Sequence, residues 1–284
     1  MKSNIQRYKD YIKKLELVGA TNYFEYRLDE SKDEVNIERY IENNERFRKI
    51  EIPPFVTGFR IAESRTTHVT YSSIFHGVTQ SLKVINKSQV TDMSGLFQLF
   101  RGRELDLSEF DTSKVTNMSN MFAMCINLEK LNILNLDTHL VTDMSSMFAM
   151  DSALKALDVS MFNTSRVKTM ESMFFGCARL TELKLGNFNT TLVTDMHEMF
   201  NSCSKIKELD LSSFEPIRLK SVERMFYNCV NIEKLNVINM RLGGGTAHEE
   251  MFRNCDSLTD INTNDKTITE VYKCKKNIKI GMRW

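Results

Sequence analysis

One short string returns down this chain at a nearly fixed interval. VTDMSGLF ends at Phe97, VTNMSNMF at Phe122, VTDMSSMF at Phe148, VKTMESMF at Phe174 and VTDMHEMF at Phe200. Weaker copies end at Phe226 (LKSVERMF) and Phe252 (GTAHEEMF); the first step is 25 residues and the other five are 26. A second motif runs in phase, as LDLSEF from Leu105, LNILNL from Leu131, LDVSMF from Leu157, LKLGNF from Leu183, LDLSSF from Leu209 and LNVINM from Leu235. A fixed period of this length predicts stacked, near-identical units, because one unit is too small to bury its own apolar face.

Each half of the unit has its own periodicity. Met196, Met199, Phe200 and Cys203 stand at i, i+3, i+4 and i+7, the spacing of one helix face, with Thr194 or Asp195 placed as an N-cap. Leu209 and Leu211 alternate with Glu208, Asp210 and Ser212, the period of a strand with one buried face. The expected unit is therefore a short helix or helical turn, a bend, a strand and a return. Helical turns are wider than strands, so the stack is expected to curve.

Both ends need caps. Residues 1–60 lack the repeat and mix charges evenly; Ile5, Tyr8, Ile12 and Leu15 suggest an amphipathic helix, and Tyr23–Leu28 and Arg48–Ile52 read as strands. Pro53-Pro54 marks a turn, and Thr67–Ile85 reads as a degenerate first coil with Phe75 and Leu82 in repeat-like places. At the far end Leu258 and Ile261 keep part of the register, and Thr267–Val271 is expected to add a closing strand. The organisation read from this is a polar cap over 1–60, a solenoid over 61–262, and a terminal cap with a basic tail over 263–284.

The pattern N/D-T-S-x-V-T-D-M-S-S-M-F-x-x-C-x-x-L-x-x-L-D-L-S-x-F, followed closely by Asp111–Leu136, Asn163–Phe188 and Asn189–Phe214, resembles the 26-residue bacterial surface protein repeat, a relative of BspA-like leucine-rich repeats. The stretch IEIPPFVTGF, from Ile50 to Phe59, is similar to the opening of BspA-like coils, so the resemblance runs over roughly residues 50–262. With the periodicities, it gives an α/β repeat fold: a curved leucine-rich-repeat-like solenoid of about seven coils, each one strand plus a short helical turn, capped at both ends. The resemblance also implies surface display, adhesion or binding of host proteins, and it brings no catalytic motif.

Composition narrows the function. Lys plus Arg number 38 against 37 Asp plus Glu, a balance without a global pull towards nucleic acid or membrane. The N-terminus is charged throughout and no apolar run reaches membrane-span length, which points to a cytoplasmic chain, against the cell-surface location that the resemblance implies. Cys125, Cys177, Cys203, Cys229 and Cys255 fall three residues after the repeat Phe, with Asp151 in that place in the remaining strong copy. A cysteine in every coil reads as a small core residue; zinc-ligand spacing is absent. Cys274 is out of register, as a free surface thiol or one buried under the cap. His68, His76, His139, His197 and His248 share no register, and Gly243-Gly244-Gly245 reads as a loop insertion rather than a phosphate loop. No catalytic residue, metal site or cofactor is expected.

The exposed strand positions carry the functional signal. One column reads Glu104, Lys130, Ala156, Glu182, Glu208, Lys234; the next reads Asp106, Asn132, Asp158, Lys184, Asp210, Asn236. Like charges side by side are disfavoured in a ladder, so Glu182 next to Glu208 suggests retention for a partner. The candidate binding residues are Glu182, Lys184, Glu208, Asp210, Lys234 and Asn236, set against the plain reading of a solvated face. The expected function is a non-catalytic protein–protein interaction module. The alternatives are a surface-displayed adhesion or structural protein exported without a recognisable signal, and a nucleic-acid or anionic-surface binder using the tail of Lys273, Lys275, Lys276, Lys279, Arg283 and Trp284.

Overall fold

A computed structural model describes residues 2–18, 24–40, 47–54, 56, 58–59, 74–75, 77–79, 81–86, 90–186 and 188–281. Among them run α1 (Asn4–Val18), β1 (Phe24–Asp29), β2 (Glu34–Tyr40), β3 (Phe47–Ile52), β4 (Gly58–Phe59) and β5 (Ser81–Asn86). Seven three-residue strands follow, β6 (Glu104–Asp106), β7 (Lys130–Asn132), β8 (Ala156–Asp158), β9 (Glu182–Lys184), β10 (Glu208–Asp210), β11 (Lys234–Asn236) and β12 (Asp260–Asn262), and then α2 (Lys266–Gly281). The chain is a solenoid, one short parallel strand per coil.

The repeat Phe residues form the spine. Phe75, Phe97, Phe122, Phe148, Phe174, Phe200, Phe226 and Phe252 stack ring on ring, successive centroids 4.8–5.7 Å apart and all essentially without solvent exposure. Offset stacking of aromatic rings adds to the gain from their burial. Met118, Met121 and Val115 of each coil, with their equivalents, fill the space around the column and are likewise buried.

The segment expected to be a short helix or helical turn is a run of tight turns, not a continuous helix. In one coil Met121, Ala123 and Cys125 donate their N–H groups back three residues to Met118, Asn120 and Phe122. The intervening N–H groups leave the coil: Met118, Asn120, Phe122 and Met124 donate to Asp143, Ser145, Met147 and Ala149 of the next, at 2.7–3.0 Å. An α-helix would direct all of them along its own axis. Asn120 and Met124 sit at φ 57° and 63°, in the left-handed region that a right-handed helix excludes. Equivalent residues do so in later coils, including Ser146, Ser172, Arg224 and Gly176. The side-chain spacing satisfies both conformations; the alternating hydrogen bonds select the turns, because they join neighbouring coils. Asp195, expected as a helix cap, accepts the His197 N–H in a side-chain turn, and Asp92, Asn117 and Asp143 make the same contact two residues on.

The N-terminal cap grows from the same stack. β1 and β2 form an antiparallel pair and β4 joins β2 in parallel. Phe24 and Tyr40 of this sheet pack on Phe75, with centroids 6.4 and 5.4 Å away. The expected amphipathic helix is α1, anchored where Asp33 accepts the Asn4 and Ile5 N–H groups. The expected strands at Tyr23–Leu28 and Arg48–Ile52 correspond to β1 and β3; Tyr23 itself lies outside the described residues. β2 was not foreseen. Val56 donates to the Pro53 carbonyl, giving the turn at Pro53-Pro54. β3 pairs in parallel with β5, and Leu82 of β5 meets Leu105 of β6, so the degenerate coil is in register where it is described; Thr67 to Ser73 lie outside the described residues.

The closing strand expected at Thr267–Val271 is not formed, and those residues lie within α2. Thr, Ile and Val favour strands, but Ile268, Val271 and Tyr272 share the i, i+3, i+4 face of a helix, and Asp265 caps it by accepting the Ile268 N–H at 2.9 Å. The other oxygen of Asp265 accepts the Leu242 N–H, pinning the helix to the last coils. Tyr272 meets Phe252 edge-on at 6.3 Å and 83°, where the parallel ring stack ends.

Candidate binding face

The strand face is not one sheet. Pairing joins β3-β5-β6-β7, then β8-β9, then β10-β11-β12, and no pairing joins β7 to β8 or β9 to β10. Glu104 opposes Lys130 and Glu208 opposes Lys234, each an ion pair at 2.7 Å, in paired strands. Asp158 opposes Lys184 in the β8-β9 pair, at 3.8 Å. At the two breaks the register sets Lys130 against Ala156 and Asn132 against Asp158, then Glu182 against Glu208 and Lys184 against Asp210. Opposite charges support a cross-strand pair and like charges oppose it.

The six predicted residues therefore fall into two groups. Glu182 and Lys184 belong to β9, where Lys184 also approaches Glu182 at 3.4 Å. Glu208, Asp210, Lys234 and Asn236 belong to β10 and β11, and Asn236 donates to Asp210 at 2.9 Å. The Glu208 carboxylate holds the Lys234 ammonium above its usual range. Asp210 also has a local task, accepting the Ser212 N–H at the corner after the strand, as Asp106 and Asp158 do for Ser108 and Ser160. The Ser160 side chain and backbone bonds hold the Asp158 carboxyl below its ordinary range.

Across the first break lies an open groove lined by Leu131, Ile133, Leu134, Ala156, Leu157 and the charged pair Glu182 and Lys184. Leu134 is 59% exposed at its rim, and Met161, one coil on, is 71% exposed. Sequence reasoning passed over both. The signal in the aligned coils was partial: Leu134 stands where other coils carry Ser108, Ser160, Gly186 and Ser212 but also Ile238, and Met161 where they carry Glu109, Asn135, Ser213 and Asn239.

The repeat cysteines resolve into packing, and the other candidates stand apart from one another. Cys125, Cys177, Cys203, Cys229 and Cys255 are buried free thiols, and Cys274 is exposed. Burial pushes the thiols of Cys125, Cys177, Cys203 and Cys229 well above the usual range, the opposite of an activated nucleophile. His139 contacts Asp137 at 2.7 Å and His248 contacts the Thr246 carbonyl, while His68 and His76 lie outside the described residues. Gly243 to Thr246 form a turn closed by the Thr246 N–H. Among the described residues no group of three or more His, Cys, Asp or Glu side chains is placed to hold a metal ion, and no helix is long and apolar enough to cross a membrane. Arg283 and Trp284 of the basic tail lie outside the described residues.

Three solved structures share features with this chain. A leucine-rich repeat protein from Bacteroides ovatus is 13% identical, covering 86% of this chain and 76% of that one, with a TM-score of 0.41. A Treponema pallidum leucine-rich repeat protein is 15% identical over 86% and 81%, with a TM-score of 0.33. A leucine-rich cell surface protein from Faecalibacterium prausnitzii is 12% identical over 86% and 94%, with a TM-score of 0.28. No curated protein matches the chain. The family described as "Mycoplasma protein of unknown function, DUF285" matches residues 69–156 and 150–266, which together take in most of the repeats. With its spine of Phe rings and its coils in a common register, the chain belongs to the DUF285 family.

Proposed function

We propose that the protein is a non-catalytic binding module that recognises a protein partner on its strand face. The observation that carries this reading is the groove at the β7–β8 break, which exposed Leu134 lines together with Glu182 and Lys184, with Met161 exposed one coil on. A well-anchored side chain in an apolar notch with a charged rim is the usual anatomy of a protein contact. The rigid stack limits the entropy lost on binding. Glu208, Asp210, Lys234 and Asn236 extend the face over the following coils and set its charge pattern.

The test is capture from native lysate with the full chain, compared with L134S/M161S and with Glu182 and Lys184 charge-reversed. Partners recovered by the wild type are expected to drop at least tenfold with the apolar double variant, since loss of a central anchor costs about 2 kcal/mol or more. The charge reversals are expected to change the association rate and its salt dependence. Equal recovery of the same partners by all three chains would overturn the proposal. We place the encounter in the cytoplasm; removal of the chain from intact cells by an added protease would move it to the cell surface.

A further inference from the structure

The column three residues after the repeat Phe has a fixed hydrogen-bond pattern. Each thiol donates to the Phe carbonyl one coil back: Cys125 to Phe97, Cys177 to Phe148, Cys203 to Phe174, Cys229 to Phe200 and Cys255 to Phe226, at 2.8–3.2 Å. In one coil the column holds Asp151, which has no solvent exposure. Its Oδ1 accepts the Cys125 N–H at 2.8 Å. Its Oδ2 is buried without a partner among the described residues. The register places the Phe122 carbonyl where position 151 finds its acceptor.

A carboxylate is acceptor-only and would leave a charged oxygen stranded against that carbonyl. A carboxylic acid has one O–H and one acceptor oxygen, the two roles this place requires. We propose that Asp151 is held as a neutral carboxylic acid whose Oδ2–H takes the thiol's place against the Phe122 carbonyl, making the junction between the β7 and β8 coils a pH-sensitive joint.

The surroundings agree. The titratable groups facing Asp151 are the Cys125 and Cys177 thiols in the coils on either side. Burial holds the carboxyl well above the usual carboxylate range, and the Cys125 N–H opposes this only in part. The junction is also the one where β7 and β8 do not pair, so the turn side and the column carry the contact between these coils. Ionisation releases the proton to solvent and leaves a buried charge in that junction.

The sign follows from linkage. A group whose folded pKa is raised contributes its full stability below the unfolded value, near 4, and loses it as pH rises through the folded value. The folded-to-unfolded ratio attributable to Asp151 then falls about tenfold per pH unit over that window. The full-length wild type is compared with D151N, an uncharged isostere able to donate to Phe122, and with D151C, which matches the other coils. Urea unfolding is followed between about pH 4 and pH 8. Both variants are expected to gain on the wild type by about tenfold per pH unit in that ratio until the wild-type carboxyl ionises. Infrared difference spectra of the folded wild type at neutral pH are expected to show the C=O stretch of a protonated carboxyl that either variant removes. Parallel stability curves, or absence of that band from the wild type, would overturn the proposal.

Discussion

The two long sides of the solenoid are built to different standards. On the turn side, bridges run without a break from Asp92 through Asn117, Asp143, Thr169, Asp195 and Ser221 to Ala247. On the strand side the ladder is cut twice over the same coils. The turn side repeats Met, Phe and its left-handed positions from coil to coil; the strand side varies its outward residues. Stacking is thus secured on the invariant side, and the other side is left free to vary its chemistry. In a fold built from one strand per coil, the strands would be the natural place to look for cohesion; here much of it sits in the turns.

The comparison breaks most sharply at the spine. Phe174 lies between Phe148 and Phe200, parallel to both. Phe174→Ala is expected to cost about 3–5 kcal/mol in urea unfolding, by loss of burial and the cavity left behind. A cost under about 1 kcal/mol, as for a surface site, would remove the turn side from its leading role. The next effect is at Gly186, at φ 58°, where an added Cβ would lie 2.5 Å from the Ser160 carbonyl oxygen. Gly186→Ala is expected to destabilise by about 2–4 kcal/mol, combining left-handed backbone cost with overpacking. Unfolding midpoints equal to wild type would show that this strand-side corner has slack.

Smaller effects sharpen the reading of the breaks. Glu182→Lys sets opposite charges across β9 and β10. Amide exchange in β10 is expected to slow by roughly twofold to fivefold, the range of a favourable cross-strand pair. Unchanged exchange would mean that backbone geometry, not charge, keeps those strands apart. Smallest of all is Lys234→Ala. The Lys234–Glu208 pair is solvent-exposed, so thermal unfolding is expected to stay within error of wild type. A clear loss would give the strand-side ion pairs a structural weight not assigned to them here.

These differences also explain what could be read in advance. The Phe, Met and Cys columns were legible because a buried place in a repeat demands the same side chain each time. The turns were not, since i, i+3, i+4, i+7 spacing serves a helix and this turn series alike. The left-handed positions separate them only in part: Asn120, Ser146, Ser172, Gly176, Asn228 and Asn254 are poor helix formers, but Met124, Met150, Glu198, Arg224 and Glu250 at equivalent places are good ones. At the C-terminus β-branched residues pointed to a strand, while the Asp265 cap and the face made by Ile268 and Tyr272 decided for a helix. The six polar candidates could be placed on one face from register alone. Their division between separate sheets could not, because strand pairing is a property of neighbouring coils in the stack. Leu134 and Met161 were visible in the alignment of coils, but exposure is a property of the stack.

The alternating amide pattern has one more consequence. Because each coil donates to the next in the pattern by which it receives from the one before, the repeat sets no length for itself. Tyr272, standing across the last ring rather than along it, is a full stop: its hydroxyl is spent on the Leu258 carbonyl and its edge offers nothing parallel to copy. A few residues of α2 thereby cover the last ring of the stack with a surface that does not repeat its pattern.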